Sequence, residues 1–339
     1  MRWNGGVAVA YGDTRLILDP RRSHPAYPEV FITHAHHDHS RGLRLQRGTK
    51  YSTIQTLDLA TGGRRGVVQR WREVVVNRRF RVGELEVEAH NAGHILGSVQ
   101  YEIRSPEGSI VYTGDINVVD TFTTRAADIV PCDVLIIEAT YGSPCRFPPR
   151  DRVIAEILQW VVKSITKDGR IPALQTDPIG NAQELIAILN RFSRVPVVTH
   201  PRITAINQIY ERFGCRLNYI DARTEDAEEL ASSRSCVYIT PKRVDLSGHP
   251  EFNVAYVSGW APKFAGWRKP FTLSDHADFY GLLEYIQNVQ PRMVYTCLGG
   301  RRMNQILARS VRKLLGCLLY TSDAADDGES VDLGGRRII

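Results

Sequence analysis

The sequence predicts a mixed α/β protein built in αββα layers, with a second α/β domain inserted into it. Residues 1–140 read mainly as short strands, and histidine or acidic residues follow several of them, as expected where loops at strand ends carry a site. Beyond a proline-rich stretch at 143–150, helix and strand patterns alternate up to residue 257. With 339 residues, 43% of them hydrophobic, the chain can bury a core for one large domain or two.

The first part begins with a hairpin, because apolar runs at 7–10 and 15–18 flank Gly12-Asp13 and end at Asp19-Pro20. Apolar runs and alternating patterns predict further strands at 30–32, 49–52, 74–76, 80–82, 85–89, 99–103, 109–112 and 134–137, with a helix near 54–60.

The inserted part is expected to contain helices at 151–165, 181–192 and 203–213 and strands at 171–174, 195–198, 237–239 and 254–257. The chain then returns through 274–279, a helix at 280–289, a strand at 293–296 and a helix at 304–315. We therefore expect a first domain at 1–142, an insert at 143–258, a return segment at 259–316 and a foreign tail at 317–339.

The loop at 33–40 reads T-H-A-H-H-D-H-S and holds four of the ten histidines. It follows an apolar run, so it lies where a strand gives way to a loop. His34 and His36 point the same way on extended backbone and can chelate one ion, and Asp38 and His39, past the bend, can hold a second. The alternative is a histidine-rich surface turn that binds metal adventitiously.

Two more segments supply the remaining ligand types. His94 lies between glycines in A-G-H-I-L-G, and Asp115 lies in T-G-D after the apolar run 109–112. H-x-H-x-D-H, a glycine-flanked histidine and T-G-D, in that order, resemble the motifs of the metallo-β-lactamase fold. The resemblance implies one metal on His34, His36 and His94, a second on Asp38 and His39, and Asp115 bridging both. Asp19 corresponds to that fold's first motif, which accepts hydrogen bonds from the ligand loop.

The insert between I-E-A-T-Y-G and S-D-H-A-D-F is similar to that of the beta-CASP nucleases, and the resemblance covers residues 5–316. Glu138 matches the family's acidic motif A and His276 its motif B. Short chains of this type look like prokaryotic exonucleases similar to mRNA 3′-end-processing factors, some of them associated with DNA ligases. The resemblance implies that His276 protonates the leaving oxygen or contacts the phosphate, and that Glu138 holds His276.

One motif departs from the family. Its RNA-processing members carry a motif C histidine in T-x-H-G, whereas this chain reads T-C-L-G, so that Leu298 takes the histidine's place. Artemis-like DNA-repair members also carry an aliphatic residue there. The leucine therefore favours a DNA substrate and a weaker second metal site, unless it is a sequencing error.

Two stretches of the insert and its boundary predict nucleic-acid contact. Aromatic and basic side chains interleave before His276, at Trp260, Lys263, Trp267, Arg268 and Lys269. Bases stack on aromatic rings while cations meet phosphates, although packed aromatics in a linker are an equal alternative. The helix that starts at Gly180 and Asn181 can offer free N–H groups to a phosphate.

The acidic tail lowers the formal net charge of the chain. Residues 317–339 begin C-L-L-Y-T-S-D-A-A-D-D and resemble the translated read-through of a sequencing-library adapter, which would leave the natural C-terminus missing. This tail holds five acids and two arginines, so the formal charge of +6 becomes +9 without it. An excess of positive charge favours a polyanionic partner.

The resulting expectation is a nuclease that uses two divalent ions, in the first place zinc with manganese or iron as alternatives. Its substrate would be single-stranded RNA or DNA, degraded from an end, in association with RNA-processing or DNA-repair proteins. Cysteines without C-x-x-C spacing, no secretory start and no apolar run of membrane length predict a cytoplasmic protein. The competing hypotheses are a thioester or lactone hydrolase on the same fold and a catalytically impaired nucleic-acid-binding homologue.

Overall fold

The computed structural model describes residues 2–3, 5–22, 24–315 and 318–321. The strands are β1 (Arg2–Trp3), β2 (Val7–Tyr11), β3 (Thr14–Leu18), β4 (Glu29–Phe31), β5 (Thr49–Ser52), β6 (Trp71–Glu73), β7 (Phe80–Val82), β8 (Leu85–Asn91), β9 (Val99–Ser105), β10 (Gly108–Tyr112), β11 (Val134–Glu138), β12 (Ile171–Thr176), β13 (Val197–Thr199), β14 (Ile220–Asp221), β15 (Val237–Pro241), β16 (Phe252–Val257), β17 (Lys269–Phe271), β18 (Met293–Cys297) and β19 (Leu318–Thr321). The helices are α1 (His37–Ser40), α2 (Ile54–Thr61), α3 (Arg150–Thr166), α4 (Asn181–Phe192), α5 (Pro201–Arg212), α6 (Glu225–Ser232), α7 (Ala261–Phe264), α8 (Phe279–Val289) and α9 (Gly300–Leu315).

The chain packs as two compact units. The first contains the described residues up to 120, residues 125–146 and those from 276 onward, and the second contains 121–124 and 147–275. The sequence placed the return segment at 259, whereas the structure places residues 259–275 with the second unit. The physical reason is that β17 pairs in parallel with β16, with Lys269 opposite Ala255.

The first unit has four layers, as the sequence predicts. One sheet has the order β1-β2-β3-β4-β5-β6 and the other the order β19-β18-β11-β10-β9-β8-β7. Side chains of both sheets, such as Phe31 and Tyr101, form one buried core between them. On the outer face of the first sheet, Ile17 packs with Leu57 of α2. On the outer face of the second, a further cluster joins strand residues Val111, Leu135 and Ile137 to Leu282 and Ile286 of α8 and Leu307 and Val311 of α9.

Side-chain alternation explains why these strands form. The strand β8 reads L-E-V-E-A-H-N, and its apolar positions are buried while the polar ones are partly exposed. In contrast, β11 reads V-L-I-I-E, and four of its five residues are buried because helices cover its second face. Polar side chains in the loops that follow such buried strands can come together at the edge of the sheet.

The second unit contains a parallel sheet of order β14-β13-β15-β12-β16-β17. Its central strand β12 is buried along its whole length, as expected of a parallel sheet covered on both faces. The helix α3 buries Val153, Ile157 and Val161, which recur at every fourth position and so share one face. The expected βα insert is therefore present.

Several local elements differ from the sequence prediction, which also gave no strand at β14 or β17 and no helix at α7. The strand expected at 74–76 lies at 71–73, because the chain turns after Val74 and leaves Val75 and Val76 exposed. The helix α6 was not predicted, since its acidic sequence buries only Ala227 and so lacks an apolar period. Residues 318–321 of the expected foreign tail form β19 and pair with β18, and the rest of that tail lies outside the described residues.

No helix within the described residues is both long enough and apolar enough to cross a membrane.

Candidate metal centre

The buried carboxylate of Asp19 anchors the histidine-rich loop at the end of β4. Its oxygens accept hydrogen bonds from Thr33 N at 2.8 Å and from Thr33 Oγ1 at 2.7 Å. Its Oδ2 also lies 2.7 Å from Nδ1 of His39 and 3.1 Å from the donating hydroxyl of Tyr112. Asp19 therefore fixes the start of the loop and the orientation of the His39 ring together, which is how a carboxylate behind a ligand acts.

The loop then turns into the short helix α1. His36 has extended dihedral angles, φ −60° and ψ 143°, and its carbonyl oxygen accepts from the N–H groups of His39 and Ser40. This change from strand to helical turn separates the two pairs predicted from the sequence. His34 and His36 lie before the turn, and Asp38 and His39 lie within it.

Two glycines allow close approaches between the segments that carry the other ligands. Gly114 has φ +55°, and a Cβ at that position would lie 2.6 Å from Thr33 Oγ1. Gly93 has φ +72°, and a Cβ there would lie 2.3 Å from the carbonyl oxygen of Asn117. Glycine at 114 therefore lets the segment of Asp115 approach the loop, and glycine at 93 lets the segment of His94 approach Asn117.

Asp115 lies between two sets of imidazoles. Its Oδ2 lies 3.3 Å from His34 Nε2 and 3.8 Å from His94 Nε2. Its Oδ1 lies 3.4 Å from His39 Nε2, and that nitrogen is 3.8 Å from an oxygen of Asp38. The nitrogens His94 Nε2 and His36 Nδ1 are 3.0 Å apart. The two oxygens of one carboxylate thus face the two predicted ligand sets.

Burial sets the protonation of the imidazoles. Burial, with the charge of His39 as the second cause, lowers the pKa of His34 to about 4, and burial likewise lowers the pKa of His94 well below its ordinary value. For His39 burial acts in the same direction, but the carboxylates of Asp115 and Asp19 outweigh it and raise the pKa to about 10. His34 and His94 are therefore neutral and able to donate a lone pair near pH 7.

The donor set fits a divalent metal ion. Single donor atoms of His34, His36, His94 and Asp115 lie within 4.8 Å of one another. Four ligands placed tetrahedrally at zinc distances of ~2.0–2.1 Å would be about 3.3 Å apart, close to the separations above. In addition, the buried Nε2 of His34 makes no well-directed hydrogen bond, which is costly unless a ligand satisfies it. The first set thus has the composition and spacing of a metal site.

His276 lies beside this centre and is held by Glu138. Its Nδ1 is 2.9 and 3.1 Å from the two oxygens of Glu138, which is fully buried. Glu138 also accepts from Ile116 N at 2.7 Å, one residue beyond Asp115. The His276 ring is 4.4 Å from that of His94, centroid to centroid. Because Glu138 occupies Nδ1, the Nε2 edge of His276 is the one that chemistry at the site would use.

Leu298 follows β18 in a left-handed conformation, with φ +65°. It is half-buried and packs against the core between the two sheets. Histidine adopts left-handed angles more readily than leucine does. The backbone at 298 therefore also suits a histidine.

In the second unit the predicted contact residues have different surroundings. Trp267 is 64% exposed, Lys263 and Lys269 are exposed, and Trp260 is half-buried. Arg268, however, donates to Gln175 Oε1 at 2.9 Å and to two backbone carbonyls, and it stacks over Tyr256 at 4.4 Å. Arg268 thus holds the unit together, which corrects its assignment as a nucleic-acid contact.

Gly180 and Asn181 are also corrected. Both residues are buried, and the Gly180 N–H donates to the side chain of Gln183 at 2.8 Å. The helix start therefore satisfies this donor itself, as a capping box does. Sequence reasoning overlooked the glutamine three residues after the glycine, which is the signal for such a cap.

Sequence reasoning also missed Tyr112 and Thr33 as partners of Asp19. Tyr112 ends a predicted strand, and its hydroxyl reaches Asp19 across the space between the sheets. Only the packing of the two sheets against each other brings Tyr112 to Asp19, so the sequence offers no local signal for that contact.

The sequence is similar to those of several known proteins. A family model described as a beta-lactamase superfamily domain matches residues 9–161. A protein named "Probable DNA ligase" from Opitutus terrae is 33% identical over 229 residues, which are 63% of this chain and 21% of that protein. An RNase J-like protein from Methanocaldococcus jannaschii is 27% identical over 236 residues, 62% of this chain and 55% of that protein.

RNase aCSPSF2 from Saccharolobus solfataricus is 25% identical over 306 residues, covering 78% of this chain and 56% of that protein. The aligned part is thus about half the length of these relatives or less. A solved structure, that of a protein of unknown function from Enterococcus faecalis V583, superimposes with a TM-score of 0.56 at 17% identity over 85% of this chain and 89% of that one. That likeness concerns the fold alone.

Proposed function

Because the chain belongs to the beta-CASP branch of the metallo-β-lactamase superfamily, we propose that it is a metal-dependent nuclease that hydrolyses phosphodiester bonds. The observation that carries the proposal is the position of Asp115, whose Oδ2 faces His34 and His94 and whose Oδ1 faces His39. A carboxylate in that position suits a pair of ions rather than one.

His34, His36 and His94 with Asp115 Oδ2 would hold one ion, and His39, Asp38 and Asp115 Oδ1 would hold the other. Imidazole and carboxylate ligands without thiolate suit zinc, with manganese or iron as alternatives. Two such ions, when bound, supply an activated water and neutralise charge on the phosphoryl group. Asp19 keeps the His39 ring oriented through its Nδ1, so that Nε2 faces the second site.

His276 would complete the reaction. Glu138 accepts a hydrogen bond from Nδ1 of His276, which fixes the orientation of the ring. The Nε2 edge can then donate a proton to the leaving oxygen, or donate a hydrogen bond to the scissile phosphate. Either role requires no contact between His276 and a metal.

The proposed substrate is a single-stranded nucleic acid. The exposed rings and cations at Trp267, Lys263 and Lys269 offer stacking and phosphate contact of the kind such substrates use. Named relatives include RNase J-like and RNase aCSPSF2 proteins, which favours RNA, whereas the likeness to a ligase and the leucine at 298 favour DNA. We propose degradation from an end, alongside RNA-processing or DNA-repair proteins in the cytoplasm.

A catalytically impaired nucleic-acid-binding protein is the second candidate, and Leu298 is the observation that favours it. The side chain of Leu298 cannot coordinate, so the second site has one imidazole, His39. Asp38 is also 59% exposed, which makes it a weaker ligand than a buried one.

Metal content and hydrolysis of a bis-aryl phosphodiester separate these functions. A nuclease binds metal and hydrolyses the diester, and a chelator abolishes the reaction. A thioester or lactone hydrolase binds metal but leaves the diester intact. An impaired homologue binds oligonucleotides without hydrolysing either the diester or the oligonucleotide.

A further inference from the structure

The second unit carries an exposed pair of phenylalanine rings that lies outside the stretch singled out from the sequence. Phe122 is 43% exposed and Phe192 is 51% exposed. Their rings lie edge to face with centroids 5.7 Å apart. The guanidinium of Arg191 lies 5.6 Å from the Phe122 centroid and 5.8 Å from that of Phe192. An arginine and two aromatic rings therefore share one patch of surface.

The backbone that carries Phe122 is held in place by Glu184. The carboxylate of Glu184 accepts hydrogen bonds from Phe122 N at 3.0 Å, from Thr123 N at 3.1 Å and from Thr123 Oγ1 at 3.1 Å. Arg150 pairs with the same carboxylate. Glu184 is 4% exposed, so its carboxylate is shielded from water. Hydrogen bonds are stronger in such an environment. The loop at 121–124 is thus fixed against α4, with its aromatic side chain outward.

Both rings are presented by elements that restrict them. Glu184 lies near the start of α4, and Arg191 and Phe192 form its last two residues. At 1.5 Å per residue, Phe192 is about 12 Å along the helix from Glu184. Rings held in this way lose little conformational freedom when a ligand stacks on them.

The chemistry of this patch selects its partner. Two adjoining exposed rings form an apolar patch of the kind that marks an interaction site. Aromatic rings flanked by an exposed guanidinium match the pattern by which proteins bind single-stranded nucleic acid, through stacked bases and phosphate charge. The chain's positive charge outside its tail acts in the same direction.

We propose that Phe122, Arg191 and Phe192 form a base-stacking platform on the second unit for a single-stranded nucleic-acid substrate. This proposal rests on the proposed nuclease function, of which it specifies one substrate-binding surface. The platform acts in binding the polymer and takes no part in hydrolysis.

The test measures the affinity of a single-stranded oligonucleotide for the full chain in an Asp115→Asn background, in which cleavage is blocked. Replacing Phe122 and Phe192 together by leucine keeps the apolar side chains and removes the aromatic faces. The dissociation constant should rise by about 10-fold to 100-fold, as expected when one or more bases lose a stacking partner. A matched oligonucleotide of abasic sugars should bind the two proteins equally, since it has no base to stack.

Val162→Ala serves as the matched control, because Val162 is 51% exposed on α3 of the same unit. It should leave the affinity unchanged. The platform proposal is overturned if the double leucine variant binds the oligonucleotide as tightly as its parent, if the abasic oligonucleotide loses as much affinity, or if Val162→Ala has an equal effect.

Hydrolysis of the bis-aryl phosphodiester separates this proposal from the proposed function. In the otherwise native chain, the double leucine variant should hydrolyse this small diester at the native rate, because it offers no base to the platform. A native chain that hydrolyses the diester while the double leucine variant keeps full oligonucleotide affinity contradicts only the platform. A native chain that neither hydrolyses the diester nor binds the oligonucleotide contradicts both.

Discussion

Asp115 is the residue on which the account depends most. Its two oxygens face His34 and His39 from one buried position, and Gly114 is the residue that lets it approach Thr33. Changing the carboxylate to an amide removes the negative charge that the two proposed ions would share while keeping the side-chain volume.

Asp115→Asn should therefore lower metal content at both sites and abolish hydrolysis, with the melting temperature close to that of the native protein. Elemental analysis of purified protein measures the metal content. Asp120→Asn is the control, since Asp120 is an exposed carboxylate five positions away, bonded to Ala126 N. Near-native turnover in Asp115→Asn would contradict the assignment of two ions.

His276→Ala tests the assignment of His276 as a proton donor or phosphate contact. The rate should fall by ~10²–10⁴ while metal content stays unchanged, because general acid catalysis is worth that much and the proposal assigns His276 no metal. His249→Ala, which removes an exposed histidine paired with Glu251, should have no effect. Loss of one metal equivalent in His276→Ala would show that the residue is a ligand.

Leu298→His tests whether the lack of an imidazole at position 298 weakens the second metal site. Its left-handed backbone accommodates histidine, so the variant should fold and raise the metal stoichiometry toward two. Activity at limiting zinc should rise with it. Zinc titrations of both proteins, each with RNA and DNA oligonucleotides, measure this. Equal metal affinity would show that position 298 does not face the ions.

A cluster of side chains could be predicted where their types share one chemistry and strand ends set their positions. His34, His39 and Asp115 were predicted as ligands from the loop at 33–40 and the T-G-D turn, and the structure brings them together. Arg268 and Gly180 were assigned by type alone, and their contacts depend on Gln175 and Gln183, which only the folded chain places beside them. Exposure of a cation or a helix start cannot be read from residue type.

At the scale of elements, periodicity identified most helices and strands. It misplaced β6, because Val75 and Val76 continue an apolar run that the structure leaves in solvent. Periodicity also could not assign the loop at 121–124 to the second unit. The acceptor Glu184 lies about 60 residues away, and no local pattern indicates this contact. Long-range hydrogen bonds of this kind decide where a unit ends.

The foreign origin expected for the tail can be tested by truncation. One variant ends at residue 321 and keeps β19, and the other ends at residue 316 and removes it. Sequence of adapter origin was not selected to pack, so we expect both melting temperatures to stay within about one degree of the native value. A larger drop confined to the shorter variant would show that the pairing of β19 with β18 contributes to stability and would contradict the foreign origin.

At the scale of the whole molecule, the two units have different proposed roles. The first unit contains every residue assigned to metal binding and proton transfer, and the second contains the exposed aromatic and basic residues assigned to the substrate. The four layers of the first unit could be predicted from its strand pattern and motifs, and the βα character of the second from its alternating helix and strand patterns. The boundary at 275 could not, because it depends on a three-residue edge strand.

The central claim is that this chain is a metal-dependent nuclease. The most direct measurement follows the degradation of matched, end-labelled RNA and DNA oligonucleotides by the purified full chain with added zinc or manganese. The account predicts progressive shortening of at least one of them, its loss on adding a chelator, and no shortening by Asp115→Asn. Intact oligonucleotides of both kinds, from a protein that carries its metal, would contradict the account.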